Sequence, residues 1–252
     1  MQYIAMSEFR TNFLGYPVDN INLDELLDFA KETITVDEYH YLAVQNANKM
    51  YLSEKHAQVR QFIERAKIIL PENAINMGMR VLRKPLKQRN MGGVHVMEAL
   101  LELAHAEHFS ISLFGAQQNE LNSLVQNIQQ KYPNIAVKSH RNGYFGLEEE
   151  PLIVEQIRAC RPNILFIGLG SPKQELFIDK YWQELQANII IGVGGSFKVL
   201  AGLESPAPAW SKYGLEWLYR SWQDPKKLKR YFVINSFYLY KFTKYLLTQK
   251  SR

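Results

Sequence analysis

The sequence predicts an α/β fold in which a parallel sheet carries helices on both faces and is followed by a small helical C-terminal appendage. The first observation is that short apolar runs of strand length alternate with longer segments whose apolar residues recur about every 3.6 positions. Parallel strands need crossover connections, which are usually helical, so this alternation favours a Rossmann-like sheet. The second observation is that the alternation stops after Gly202.

Six apolar runs are predicted as buried strands: 41–45, 67–70, 109–114, 135–137, 163–167 and 188–191. Four segments between them have helical periodicity: 96–106, 121–132, 152–160 and 174–185. Beyond the sheet, Pro206 and Pro208 interrupt the chain before further helical segments. We therefore predict two parts, a Rossmann-like core at 1–203 and a basic, aromatic appendage at 204–252.

The composition predicts a cytoplasmic protein. The chain of 252 residues contains one cysteine, Cys160, so no internal disulfide can form. Its first residues lack the basic start and the continuous apolar run of a signal peptide. No window reaches the roughly 20 uncharged apolar residues that a membrane-spanning helix needs, because Lys241 and Lys244 interrupt the richest segment. We expect a protein that rests on a membrane without crossing it.

Basic charge is concentrated at the C-terminal end. The formal net charge is +5, whereas residues 210–252 hold ten Lys and Arg against two acids. If 226–247 is one continuous helix, a single stripe of it carries four cations: Lys227, Arg230, Lys241 and Lys244. Basic residues beside tyrosines favour the headgroup layer of an anionic membrane, although a solvated helical tail has the same pattern. No nucleic-acid partner is predicted.

Two glycine-rich segments directly follow predicted strands, where ligands bind in parallel sheets. These segments supply the candidate binding residues Gly170, Ser171, Lys173, Gln174, Gly194 and Gly195. Ser171 can cap the next helix, with Pro172 in its first turn. Glycine lets the backbone approach a ligand, and a helix N-terminus attracts phosphate. The two segments together therefore predict a nucleotide or sugar-phosphate site.

Several other site classes are disfavoured. Neither glycine segment has the GxGxxG spacing of a dinucleotide fingerprint, and the chain has no Walker-type phosphate loop, which argues against a nicotinamide oxidoreductase or a P-loop enzyme. The six histidines form no Cys/His cluster and no Asp-x-Asp occurs, so no metal site is predicted. A departing diphosphate would then be stabilised by helix N-termini and cations.

Glu72 is the candidate catalytic carboxylate. It follows the predicted strand 67–70 almost immediately, which is the position of a general base at the edge of a parallel sheet. The same residue can instead be a first-turn glutamate that the helix dipole favours. Further along, Arg89 supplies a cation before the glycines at 92 and 93, although a lone arginine is usually a surface residue.

Together these segments resemble the WecG/TagA/CpsF glycosyltransferase family. The matches are GLGSPKQE at 168–175, GVGGSF at 192–197, GLEWLYR at 214–220, and the shorter GYF at 143–145 and RP at 161–162. The resemblance implies an inverting, metal-independent transfer from a UDP-sugar, without a cofactor, to an undecaprenyl-diphosphate-linked saccharide in cell-surface polysaccharide assembly. It also implies an appendage that approaches the inner face of the bacterial plasma membrane.

The resemblance assigns roles to individual residues. Gln174 and Arg89 match positions that are linked to substrate and diphosphate binding, and Arg220 ends the last matching segment. Asn46 matches the asparagine of an early Thr-x-Asn segment, in which Val44 replaces the threonine. These residues are the candidate substrate-binding groups beside the two glycine segments.

The chain also departs from the family's pattern. Glu72 stands in place of the presumed catalytic aspartate, which moves the carboxylate by roughly 1 to 1.5 Å. His95 replaces a later aspartate, so it can act as a base or bind the acceptor phosphate. Two further positions, Lys198 and Pro206, replace an aspartate and an arginine. We therefore expect a hexose or N-acetylhexosamine other than the family's N-acetylmannosamine.

One alternative function stays open at this point. The changed residues are also compatible with a catalytically inactive member that binds a nucleotide sugar or a partner transferase at the membrane. The sequence leaves the formation of a homo-oligomer undecided.

Overall fold

The computed structural model describes residues 9–88, 91–205, 208, 216–223 and 228–250. The strands in these ranges are β1 (Arg10–Phe13), β2 (Tyr16–Asp19), β3 (His40–Gln45), β4 (Ile68–Pro71), β5 (Ser110–Gly115), β6 (Ala136–Arg141), β7 (Ile164–Gly168) and β8 (Ile189–Gly192). β1 and β2 form an antiparallel hairpin. The other six form one parallel sheet in the order β4-β3-β8-β7-β5-β6.

The helices in the same ranges are α1 (Leu23–Thr35), α2 (Ala47–Lys55), α3 (Ala57–Arg65), α4 (Asn73–Val81), α5 (Gly93–Ala106), α6 (Gln118–Lys131), α7 (Glu150–Cys160), α8 (Lys173–Tyr181), α9 (Ser196–Leu200), α10 (Glu216–Gln223) and α11 (Leu228–Lys250). All six predicted strands form, and the predicted α/β class with a parallel sheet and a C-terminal helix is confirmed. The boundary between core and appendage at 203 stays a prediction.

Five of the six strands are buried on both faces because helices cover both sides of the sheet, whereas the edge strand β6 stays partly exposed. Successive side chains of a strand point to opposite faces. On β8, Ile189 and Ile191 belong to one buried cluster, whereas Ile190 between them belongs to the other. The first cluster is covered by α1, α5, α6 and α9. The second is covered by α3, α7 and α8. Continuous apolar runs in the sequence therefore correspond to strands covered on both sides.

The hairpin and the first four helices were not predicted. α1 has a clear local signal, since Asn22 and Glu25 form a reciprocal capping box with both bonds at 2.8 Å. α2 has only nine residues, and two of its buried positions are the polar Lys49 and Ser53. A short helix with polar residues on its buried face has weak apolar periodicity, so tertiary contacts define it.

An ion pair joins the hairpin to the sheet. Asp19 is fully buried and accepts two hydrogen bonds from the Arg10 guanidinium, at 2.9 and 3.0 Å. The Ile69 amide of β4 donates to the same carboxylate at 2.7 Å. A bidentate arginine and a backbone donor compensate the burial of the aspartate charge, and they hold the hairpin against β4.

A third apolar cluster forms around this hairpin. Its fully buried centre is Phe13, which contacts helices α2, α4 and α11 through the side chains Met50, Met79, Tyr238 and Phe242. The C-terminal helix α11 has 23 residues and is thus anchored on the body by its inner face. Across the described ranges, each helix is too short or too polar to pass through a bilayer.

Gly115 at the end of β5 allows a close approach to β7. Its φ is +136°, and an added Cβ would lie 2.4 Å from the carbonyl oxygen of Gly168. We expect Gly115→Ala to lower the free energy of unfolding by about 1–3 kcal/mol, because both the backbone conformation and the space exclude a side chain. Urea denaturation measures the change. The control is Gly15→Ala, where φ is +91° but no atom lies within 4 Å; equal losses would show that the contact with Gly168 is unimportant.

Candidate active site at the carboxyl edge of the sheet

Four neighbouring loops at one edge of the sheet hold most of the predicted binding residues. Asn46 follows β3, Glu72 follows β4, Gly170 lies in the loop after β7, and Gly194 lies in the loop after β8. Because β3 lies between β4 and β8, and β7 pairs with β8, these loops are adjacent in space. Ligands of open parallel sheets bind at such carboxyl ends. The predicted residues are therefore brought to one region.

Glu72 and Asn46 contact each other across two of these loops. The Asn46 amide Nδ2 donates to Glu72 Oε2 at 2.7 Å, and Asn46 Oδ1 accepts from the Lys49 backbone N–H at 2.8 Å. Asn46 thereby caps α2, which fixes the orientation of its amide. Glu72 starts α4 without a side-chain capping bond. Its carboxylate is directed to Asn46 rather than to the first turn of its own helix.

A buried ionic network lies beside this pair. Lys49 Nζ contacts both Glu175 Oε1 and Ser171 Oγ. Gln174 Nε2 also donates to Glu175 Oε1, at 2.7 Å. Glu175 is 1% exposed and Lys49 4%, so the pair is almost completely removed from water. The network joins the first turn of α2 to the loop after β7, and the converging donors compensate the buried carboxylate.

Gln174 lies across the end of β8. Its Nε2 is 2.7 Å from the position that a Cβ of Gly192 would occupy, so this residue must be glycine or the amide must move. Gln174 Oε1 is buried without a hydrogen-bond partner among the described residues, as are both amide atoms of Gln45 and Oε2 of Glu175. Buried polar atoms are normally paired, so their concentration at these strand ends is typical of a polar binding site.

The glycine loops expose their backbone at three positions. Gly170 and Gly194 have φ of +73° and +53°, which favours glycine, and an added Cβ at either would meet no atom within 4 Å. A Cβ at Gly195 would also meet open space. Packing therefore gives no reason for the absence of side chains here. An uncovered backbone next to a helix start is suited to binding phosphate.

The start of α8 differs from the sequence prediction. Ser171 does not cap this helix; Pro172 is the N-cap residue, and Ser171 Oγ instead contacts Lys49 and Glu175. The buried ammonium and carboxylate are stronger partners for the hydroxyl than a backbone N–H. The next helix, α9, has only five residues, so fewer peptide dipoles add up at its N-terminus.

Lys173 is directed towards the loop after β6. Its Nζ donates to the carbonyl oxygen of Gly143 at 3.2 Å and lies 3.5 Å from the centroid of the Phe145 ring. Both partners belong to the GYF segment that the sequence singled out. The side chain is exposed, so its ammonium lies at the solvent side of the candidate site.

Of the three remaining predicted site residues, His95 is the one whose side chain the structure describes. His95 is half-buried in the first turn of α5, and its imidazole has no hydrogen bond to any residue that the structure describes. The start of α5 lies against the loop after β8, since a Cβ at Gly93 would be 2.9 Å from Ser196 Oγ. Arg89 lies outside the described residues, and Arg220 is described only as part of the α10 backbone.

The structure shows the contacts of two residues that depart from the family's pattern, Lys198 and Val44. Lys198 Nζ lies 3.1 Å from Glu120 Oε1, and this hydrogen bond raises the pKa of Lys198. Glu120 also completes the capping box at the start of α6, because it accepts from Gln117 N at 3.0 Å. Val44 is buried in the cluster between the sheet and α5. Pro206 lies outside the described residues.

The basic stripe predicted on the tail is only partly exposed. Arg230 and Lys244 of α11 are exposed, as expected. Lys241 was predicted to face a membrane, but it donates to Glu54 Oε1 of α2 at 2.9 Å and so faces the body. A carboxylate on the neighbouring helix provides a nearer partner than any external anion. Lys227 lies outside the described residues.

The outer face of α11 carries several large apolar and aromatic side chains beside its cations. Its exposed large side chains are Leu228, Phe232, Val233, Leu239, Tyr240 and Leu247. Phe232 is 66% exposed and Leu247 68%. A helix on the surface of a globular protein normally turns its polar side to solvent, so an exposed apolar face indicates a surface that becomes covered.

The pairing of Lys49 with Glu175 was not predicted, although one local feature of the sequence indicates that Lys49 has an acidic partner. Lys49 lies in the first turn of α2, where the helix dipole disfavours a cation. A lysine at such a position implies a nearby acid, but the acid is 126 residues further along the chain. Within the described ranges, no three His, Cys, Asp or Glu side chains are placed to hold a metal ion.

Comparisons with known proteins agree on one relationship. The family model "Glycosyl transferase WecG/TagA/CpsF family" matches residues 11–252. The chain is 30% identical over 239 residues to a Staphylococcus aureus (strain MW2) protein named N-acetylglucosaminyldiphosphoundecaprenol N-acetyl-beta-D-mannosaminyltransferase, covering 93% of this chain and 92% of the relative. A protein of the same name from strain MRSA252 is 31% identical over 240 residues, with the same two coverages.

Proposed function

Because the chain belongs to the WecG/TagA/CpsF family of glycosyl transferases, we propose that it moves a hexose or N-acetylhexosamine from a UDP-sugar to an undecaprenyl-diphosphate-linked saccharide. The relatives from Staphylococcus aureus are named for an acceptor of this kind. The observation that carries the proposal is the Asn46–Glu72 hydrogen bond at 2.7 Å, which holds a carboxylate at the same sheet edge as the open glycine loops.

In the proposed reaction Glu72 is the general base. It removes the proton of an acceptor hydroxyl while the hydroxyl oxygen forms a bond to the anomeric carbon of the donor sugar. The bond between that carbon and the terminal phosphate oxygen of UDP breaks, and UDP leaves with the bonding electrons. One displacement inverts the configuration at the anomeric carbon. Asn46 keeps the carboxylate in one orientation, which matters because a misplacement of about 1 Å costs roughly 100-fold in rate.

The charge on the departing UDP is stabilised by backbone and dipoles in this proposal. The backbone near Gly170 is open and lies directly before α8, whose N-terminus carries partial positive charge. Gln174 contributes a polar amide at the end of β8. The longer helix makes the loop after β7 a better diphosphate site than the loop before the five-residue α9.

We further propose that the donor sugar differs from the N-acetylmannosamine of the named relatives. Two residues support this, since Val44 near the end of β3 and His95 in the first turn of α5 replace a hydroxyl and a carboxylate of the family pattern. Their loss changes which sugar hydroxyls can be hydrogen-bonded, and unpaired polar groups discriminate strongly between sugars. His95 lies in the first turn of α5 beside the loop after β8, where it can contact a bound sugar or phosphate.

Transfer from a panel of UDP-sugars to a synthetic N-acetylglucosaminyl-diphosphate lipid tests this function. We expect one hexose or N-acetylhexosamine donor to give UDP and an extended lipid, and UDP-N-acetylmannosamine to be the poorer donor. Mass spectrometry of the lipid separates transfer from simple hydrolysis of the donor. UDP-sugar binding without transfer to any acceptor would instead support a catalytically inactive member.

The apolar outer face of α11 is the proposed membrane-contacting surface, at the inner face of the plasma membrane where a lipid-linked acceptor resides. Burying an exposed phenylalanine or leucine stabilises binding by about 1.5–3 kcal/mol when burial is complete. Each cation near an anionic surface contributes about 1 kcal/mol. Apolar contact should therefore dominate over the exposed cations Arg230 and Lys244.

Vesicle binding tests which of these contributions is larger. We expect a Phe232→Ser, Leu239→Ser double variant to bind anionic vesicles at least about tenfold more weakly, because two exposed apolar side chains are removed. The matched comparison is an Arg230→Gln, Lys244→Gln double variant, for which we expect the smaller loss. A larger loss in the cation variant would show that the basic residues, and not the apolar face, hold the tail to the membrane.

A further inference from the structure

The C-terminal helix α11 contacts both α2 and α4. The candidate base Glu72 lies at the N-terminus of α4, and its partner Asn46 lies at the N-terminus of α2. On α2, Glu54 accepts from Lys241 at 2.9 Å, and the rings of Tyr51 and Phe237 pack edge to face with centroids 5.5 Å apart. On α4, the contact is made by Tyr238. Since Asn46 caps α2 and Glu72 starts α4, one helix braces the two elements that meet at the 2.7 Å hydrogen bond.

Tyr238 reaches the backbone of the first turn of α4. Its hydroxyl donates to the carbonyl oxygen of Ala74 at 2.7 Å, two residues after Glu72. In a helix this carbonyl already accepts from the amide of Gly78, so the tyrosine provides a second bond from outside. Burial raises the pKa of Tyr238 well above its ordinary value, which keeps the hydroxyl protonated as a donor.

Gly78 makes this approach possible. An added Cβ there would lie 2.6 Å from the Tyr238 hydroxyl and 2.4 Å from the Phe13 ring. Because Gly78 has no side chain, the Tyr238 hydroxyl can reach the main chain of α4 at this position. Glycine in a helix interior destabilises the helix by about 1 kcal/mol relative to alanine. The contact with Tyr238 requires this glycine and offsets that cost.

The main chain of Glu72 is fixed on its other side by the sheet. The Glu72 amide donates to the carbonyl oxygen of Gln45 at 2.9 Å, which sets the distance between the ends of β3 and β4. Besides the side-chain torsions of Glu72, a tilt of α4 relative to the sheet would move its carboxylate relative to Asn46. Tyr238 acts on that tilt through Ala74.

We propose that Tyr238 is a positioning residue for the proposed reaction, acting through Ala74 and α4 to hold the Glu72 carboxylate against Asn46. It touches no reacting atom. The inference rests on the proposed function, because only that function gives Glu72 its role as a base. It assigns the inner face of the C-terminal helix a part in the chemistry at the sheet edge.

Kinetics of Tyr238→Phe test the positioning role. We expect kcat to fall about tenfold with little change in the KM for the donor, because a sub-ångström shift of the base weakens proton transfer without altering donor contacts. The matched control is Tyr39→Phe, which removes a hydroxyl that accepts from Arg161 at 2.9 Å. Tyr39 lies just before β3, at the end of the strand away from the site, so this variant should retain the parental kcat. An unchanged kcat in Tyr238→Phe would overturn the proposal.

The same substitution in a Glu72→Gln protein distinguishes a positioning role of Tyr238 from a general destabilisation of the fold. In a Glu72→Gln protein the residual rate no longer depends on the base, so adding Tyr238→Phe should cause no further loss. A tenfold loss in both backgrounds would mean that Tyr238 supports the fold as a whole and does not act through Glu72.

Hydrogen exchange tests the contact without any substrate. In Tyr238→Phe we expect faster amide exchange in a peptide spanning 72–81, because α4 loses an external hydrogen bond. In Tyr39→Phe that peptide should show no change, because the lost hydrogen bond is to Arg161. Unchanged exchange would refute the bracing contact even in a protein that transfers no sugar. Faster exchange in a protein that shows no transfer would uphold the contact while rejecting the proposed function.

Discussion

Glu72→Gln is expected to reduce turnover by about 10²–10⁴-fold while leaving UDP-sugar binding almost unchanged, because general-base catalysis contributes a factor of that size. Glutamine has nearly the same shape as glutamate and can still accept the Asn46 hydrogen bond, but it cannot take a proton from the acceptor. Single-turnover transfer measures the chemical step, and calorimetric titration with UDP measures binding. Unchanged turnover would rule out Glu72 as the base.

A companion variant isolates the contribution of Asn46. Asn46→Ser keeps a good N-cap for α2 but removes the amide that donates to Glu72. We expect a loss of turnover smaller than that of Glu72→Gln, since the base remains and only its orientation is released. Glu64→Gln is a matched control for the charge change, because Glu64 pairs with Arg60 on an exposed stretch of α3. It should retain the parental rate.

Lys49→Met is expected to lower the free energy of unfolding by about 3–5 kcal/mol, because it leaves the Glu175 carboxylate buried without its cation. Methionine has a similar length and fits an apolar surrounding, so the loss comes from charge rather than from volume. Urea denaturation gives the free energy. The donor affinity should fall as well, since the same network holds Ser171 in the loop after β7.

Two further variants make this result specific. Lys31→Met breaks the Lys31–Glu107 pair, whose side chains are 51% and 34% exposed, and should cost at most about 1 kcal/mol. A Lys49→Met, Glu175→Gln double variant removes both charges and should regain most of the lost stability. If Lys31→Met and Lys49→Met lose equal amounts, the buried network has no special importance.

The predicted strands indicate which distant residues lie close together, and they do so better than the predicted helices. Five of the six strands consist mainly of buried residues that are covered on both faces, and such a run is visible in the chain itself. The edge strand β6 is the exception, because its residues are exposed or half-buried. The carboxyl ends of the strands necessarily meet at one edge once the sheet is parallel. For this reason the sequence predicts that Glu72 and the glycine loops lie at one edge of the sheet, and the family resemblance adds Asn46 to them.

The residues that support the site were not visible in the same way. α2 contributes Lys49 and Ser53 to the buried side of a nine-residue helix, so its apolar pattern is weak. Gln45 continues a strand with a polar side chain whose atoms are buried. These polar positions contradict the local pattern, and such contradictions are expected at functional sites.

On the tail, the helical pattern predicted a continuous helix and the exposure of Arg230 and Lys244, but it placed Lys241 on the wrong side. Lys241 belongs to the basic stripe by spacing, yet it pairs with Glu54 on the body. Helical periodicity states which residues share a face, whereas the surface that covers this face is contributed by α2, α4 and the hairpin. The same limit applies to Tyr238, whose partner carbonyl belongs to Ala74, 164 residues away.

The sequence by itself determined the α/β class, the six-stranded sheet and the family, and it predicts the edge at which ligands bind. These properties depend on local periodicity and on short motifs that carry their own geometry. Only the tertiary structure decided that Glu72 turns to Asn46, that Lys49 neutralises Glu175, and that the C-terminal helix braces the site with its inner face. Each of these contacts joins groups that lie far apart in the chain, and burial makes their pairing obligatory once the fold brings them together.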